Sequence, residues 1–78
     1  MNEEEIYSRI RSILVDQFEV DESLVSLDAN LYEELEIDSI DAVDLMVQLK
    51  EFTDRKISPT VFRDVRTIRE VIDALMKL

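Results

Sequence analysis

Apolar residues recur at helical spacing in three stretches of this chain. Ile6, Ile10, Ile13, Leu14 and Phe18 mark the first, and no Pro or Gly interrupts it. The spacing predicts a helix from Glu3 to Phe18, with Glu3, Glu4 and Glu5 favoured at its positive N-terminal end. A second helix is predicted from Ser39 to Thr53. Asp38 or Ser39 caps it, and Asp41 lies in its first turn. Ser58-Pro59 pairs a capping serine with proline at a first helical position, which predicts a short helix ending near Asp64. Thr67-Ile68-Arg69-Glu70 is a capping-box pattern, and Ile68, Val71, Ile72 and Leu75 give the last helix its core face. No strand pattern competes. The expectation is an all-α fold: a four-helix bundle with three longer helices, one short one, and a long loop between the first two.

Residues 19–37 have no clean period. Val20, Leu24, Val25, Leu27, Leu31, Leu35 and Ile37 are scattered among Asp, Glu, Ser and Asn. A connection of this length inside a small domain is uncommon and often functional. These apolar side chains are expected to anchor it to the core. A helical turn is expected near residues 22–25, and Asp28 or Asn30 is placed to start another before Leu31.

The second helix carries two apolar faces. With Ile40 set at zero, Ala42, Leu45, Met46, Leu49 and Phe52 fall between about 120° and 240° at roughly 100° per residue. That stripe suffices to face a core. Ile40, Val43 and Val47 gather on the opposite side, with Asp44 and Glu51 beside them and Asp41 a little further round. One core needs one face, so the second reads as a docking surface edged by acids. Packing against the short helix or the long connection is the alternative use of it.

Composition narrows the chemistry. The chain has 78 residues, the length of one domain spanning 1–78, with no room for a deep cleft. At 46% hydrophobic residues it can build a core. It has no Cys, His or Gly. Disulfides, thiolate metal sites, a histidine base and a glycine-rich phosphate loop are all excluded. No turn can rely on a glycine at positive φ. No apolar run is long enough to span a membrane, and the acidic start is the reverse of a basic leader, so a soluble cytoplasmic protein is expected.

The charge is lopsided. Residues 1–54 hold 16 acidic and 3 basic side chains, a net of −13, while residues 55–78 hold 3 acidic and 6 basic, a net of +3. Such a surface repels nucleic acid and attracts proteins with basic patches.

The segment from Asn30 to Leu45 resembles the signature of acyl carrier proteins. Glu33-Glu34-Leu35, Asp38-Ser39-Ile40-Asp41 and Val43-Asp44-Leu45 match that family in order. Length, acidity, the long first loop and the short third helix extend the resemblance across the chain. It implies a 4′-phosphopantetheine arm on Ser39, covalently attached as a phosphodiester by a phosphopantetheinyl transferase. It also implies a monomeric carrier of acyl thioesters that catalyses nothing itself. The cargo would serve fatty acid, lipid A or polyketide synthesis. Partner enzymes with basic patches would dock on Asp38, Ile40, Asp41, Val43, Asp44, Val47 and Glu51.

The chain departs from the family pattern in four places. Glu36 stands where a glycine is usual, Ile40 replaces the commoner leucine, Lys50 stands where an acid is common, and the second helix reads one residue shorter before Phe52. These point to a specialised member, and the start at Met1 points to a discrete protein rather than a piece of a megasynthase. The reading from residues alone keeps a second possibility: an acidic interaction module that binds divalent cations without a prosthetic group. It has no EF-hand loop to rest on, since Asp38, Asp41 and Asp44 are three apart with no glycine following.

Overall fold

The computed structural model describes residues 2–54 and 64–77. Among these the chain forms α1 (Glu3–Gln17), a 3₁₀ turn (Glu22–Leu24), α2 (Ser39–Thr53) and α3 (Ile68–Met76). No strand occurs among the described residues beyond an isolated antiparallel bridge between Asn30 and Thr67. The all-α class and the three longer helices are as the periodicity predicts. The short helix expected at 58–64 lies almost wholly outside the described residues.

Each helix starts at a side chain suited to the task. Asn2 caps α1 by accepting the Glu5 N–H at 2.9 Å. Thr67 caps α3 with a complete capping box: its hydroxyl accepts the Glu70 N–H, and the Glu70 carboxylate accepts the Thr67 N–H, both at 3.2 Å. α1 ends at Gln17 with Phe18 as its C-cap, one residue inside the predicted limit. Glu19 then takes a left-handed conformation with φ of 57°, and the Val20 N–H returns to the Leu14 carbonyl at 3.0 Å.

The core draws on all three helices. Ile6, Ile10, Ile13 and Leu14 come from α1, Leu45 and Leu49 from α2, and Ile68, Val71, Ile72 and Leu75 from α3. α1 packs against both other helices. Gln17 and Gln48 tie its last turn to α2 through reciprocal amide bonds of 2.7 and 2.9 Å. The Arg9 guanidinium lies over the Phe52 ring, 4.5 Å from its centre. These two pairs run in opposite order along the helices, so α1 and α2 are antiparallel.

The long connection is anchored, though by a different set than the apolar pattern predicts. Leu31, Leu35 and Ile37 are buried, and so is Ala29, which no apolar pattern singles out. Val20 and Val25 pack partly against the core, while Leu24 and Leu27 remain exposed. Backbone pairing supplies the rest. Leu31 donates to Arg66 at 2.7 Å, Ile68 to Ala29 at 3.3 Å and Arg69 to Leu27 at 2.8 Å. The connection is thereby stitched to the start of α3.

Candidate functional site

The route to Ser39 is built from local hydrogen bonds. Asn30 Oδ1 accepts the N–H groups of Tyr32 and Glu33 at 2.9 and 3.0 Å, starting a turn where an Asx residue favours one. The Asn30 carbonyl accepts from Glu34 and Leu35, and the Leu31 carbonyl accepts from Ile37 at 2.9 Å. Leu35 and Ile37 thus both point into the core, with exposed Glu36 between them. Glu36 has φ of 56°. That is the left-handed region a glycine enters freely and a residue with Cβ enters at a cost of about 1 kcal/mol. Glu36, with its Cβ, bears that strain itself.

Asp38 then caps α2. Its backbone is extended, with φ −91° and ψ 179°, and its carboxylate accepts the Asp41 N–H at 2.9 Å. Its carbonyl accepts the Ala42 N–H at 3.0 Å. Of the two capping candidates read from the sequence, Asp38 is the cap and Ser39 is the first helical residue. The Ser39 side chain is exposed, and among the described residues its hydroxyl has no hydrogen-bond partner. The N–H groups of Ser39 and Ile40 have no intrahelical acceptor, as at any helix start.

These features fit a phosphodiester on the Ser39 oxygen. The hydroxyl is uncommitted, the flanking N–H groups are available to an anion, and the helix dipole favours negative charge there. Asp38 and Asp41 oppose that charge. Ser39 has no histidine or lysine beside it in sequence to remove its proton, so nothing local activates it as a nucleophile.

The second apolar face of α2 is open. Ile40 is 77% exposed, Val43 55% and Val47 43%. Asp38, Asp44 and Glu51 are exposed and Asp41 is half-buried. On the other side Leu45, Leu49 and Thr53 are buried, while Ala42, Met46 and Phe52 are only partly so. All seven residues named as docking candidates therefore reach solvent to some degree, and Ser39 stands at the head of their helix. Among the described residues, no group of three or more carboxylates is close enough to hold a metal ion, and no helix is long and apolar enough to cross a membrane.

The chain is similar to known proteins along its whole length. A family model described as a phosphopantetheine attachment site matches residues 8–75. Acyl carrier protein 2 of Ralstonia nicotianae is 50% identical over 78 residues, covering 100% of this chain and 96% of that protein. The acyl carrier protein of Rubrobacter xylanophilus is 35% identical over 77 residues, 99% of this chain and 95% of that one. That of Borrelia garinii subsp. bavariensis is 31% identical over 77 residues, with 99% and 96% covered.

Proposed function

Since the chain belongs to the acyl carrier protein family, whose members bear 4′-phosphopantetheine on a serine and are carriers rather than enzymes, we propose that Ser39 is the serine that bears the arm here. One observation carries the assignment. Asp38 satisfies the helix start, which leaves the Ser39 hydroxyl exposed and uncommitted at the positive end of α2.

The Ser39 oxygen displaces the adenosine bisphosphate half of coenzyme A and gives up its proton to a base supplied by the transferase. Once in place, the arm offers a terminal thiol that holds acyl groups as thioesters. The protein's own residues then position the linkage. The α2 N-terminus holds the phosphate, and the Ile40, Val43 and Val47 stripe offers partner enzymes an apolar contact. Asp38, Asp41, Asp44 and Glu51 steer partners whose surfaces are basic.

In this reading residues 1–78 form one domain that acts as a cytoplasmic monomer. It serves fatty acid synthesis or a related route to lipid A or polyketides. The departures at Glu36, Ile40 and Lys50 support a specialised carrier. Incubation with a phosphopantetheinyl transferase and coenzyme A tests the site. The wild-type mass should rise by one phosphopantetheinyl group and that of Ser39→Ala should not change. Modification of Ser39→Ala, or none of the wild type with several transferases, rules the assignment out.

A further inference from the structure

A second surface lies at the other end of the molecule. Because α1 and α2 are antiparallel, the start of α1 is remote from the start of α2. α1 has 15 residues, a length of about 22 Å at 1.5 Å per residue, and separates its first turn from the Ser39 end. There a groove of about 510 Å³ is lined by Glu3, Glu4, Tyr7, Leu27, Asp28 and Arg69. Tyr7 lies in its wall, half-buried, with its hydroxyl donating a long hydrogen bond to the Val25 carbonyl at 3.4 Å. Leu27 is 38% exposed although its carbonyl is held by the Arg69 N–H at 2.8 Å. Its exposure is therefore built into an anchored backbone rather than a loose loop.

The charges around this groove do not cancel. Arg69 Nε is engaged by Asp28 Oδ1 at 2.9 Å. Glu3 and Glu4 make no salt bridge among the described residues. The groove thus joins an apolar floor to an excess of negative charge. A second copy of this chain is a poor occupant, because each copy carries a net charge of −10 and the same acidic groove.

We propose that this groove docks a basic amphipathic segment of a partner protein, with an aliphatic or aromatic side chain against Tyr7 and Leu27 and lysine or arginine at Glu3 and Glu4. Docking here leaves α2 and Ser39 uncovered. The carrier is then held by one protein while another works on its cargo.

Amide chemical shifts of the full-length protein, titrated with a synthetic amphipathic helix of lysines and leucines, test this. The amides of Tyr7, Leu27, Asp28 and Arg69 should move. Leu27→Ser should weaken that response about tenfold, the equivalent of 1.4 kcal/mol. Glu4→Lys, an exposed change that leaves the core intact, should weaken it too. A glutamate–leucine peptide of the same pattern should not bind there. Shifts confined to Ile40, Val43 and Val47 overturn the proposal. So do shifts that ignore both substitutions, or equal binding of the acidic peptide. Ser39 modification is measured separately by mass, so failure here and failure at Ser39 are distinct.

Discussion

Asp38 accepts the Asp41 N–H through its carboxylate at 2.9 Å, and this bond divides labour between two adjacent residues. Asp38 sets where α2 begins; Ser39 is released from that duty. Removing the cap should therefore cost stability and removing the serine should not. Asp38→Ala should destabilise the fold by about 1 kcal/mol in urea unfolding, and Asp38→Asn by only a small fraction of that. Ser39→Ala should stay within about 0.5 kcal/mol of wild type. A large loss in Ser39→Ala would mean that its hydroxyl shares the cap.

Glu36 offers the opposite experiment, one that should stabilise the protein. Its φ of 56° places Cβ against its own backbone. Glu36→Gly relieves that contact but loosens the unfolded chain, for a net gain of roughly 0.5 kcal/mol. Glu36→Val should lose about 1 kcal/mol or more, since a β-branched residue fits this region worst. Thermal unfolding of the three proteins checks the order Gly, Glu, Val.

The sequence made the helices legible because their signals are local. Ile6, Ile10, Ile13 and Leu14 are all buried as their spacing demands, and Thr67 and Glu70 form the box their spacing announces. The start of α2 was also legible, since Asp38 and Ser39 were its two capping candidates. The path of the connection was less so. Leu24 and Leu27 look like anchors and are exposed, while Ala29 looks neutral and is buried. The long-range backbone pairing of residues 27–31 with 66–69 decides this, and no periodicity encodes it. Positive φ was hidden for a related reason. Without glycine nothing marks Glu19 or Asp54, and only the family's usual glycine marks Glu36, yet all three adopt it. The groove at Tyr7 and Leu27 was missed altogether, because its walls come from three distant parts of the chain.

The Thr67 and Glu70 bonds are reciprocal, so they should fail together. Thr67→Ala and Glu70→Ala should each cost about 1 kcal/mol. The double variant should cost clearly less than the two added, by about 0.5 kcal/mol. A double-mutant cycle in denaturant measures the coupling. Strict additivity would mean that the two bonds act independently.

Asp21 gives the connection a pH response. The Ser23 hydroxyl, and then the Ser23 N–H, donate to its carboxylate at 2.8 and 2.9 Å and hold its pKa below the ordinary value. Both bonds favour the charged form. A carboxyl lowered in the folded state adds stability that is complete above its unfolded pKa. That contribution is lost as pH falls through the folded pKa. The 3₁₀ turn should accordingly loosen only in acid below the ordinary carboxylate range. Carbon-13 titration of the Asp21 carboxyl should give a value below that of exposed aspartates. Ser23→Ala should raise it part of the way back, because the backbone donor remains. An unshifted Asp21 in the wild type would contradict the geometry.

The acidic edge of α2 makes a prediction about rate. Asp44 is exposed beside Ile40, Val43 and Val47. If it steers basic partners, Asp44→Lys should lower kcat/KM for arm transfer to Ser39 by about tenfold at low salt, through KM more than kcat. Raising ionic strength should slow the wild type, because charges separated by more than about 8 Å are screened at 0.15 M salt. The variant should respond far less. Ile40→Ser should also raise KM, but by removing apolar contact, so its effect should persist at high salt. Equal salt dependence in wild type and Asp44→Lys would show that this carboxylate contributes solubility alone, and that recognition of α2 rests on its apolar stripe.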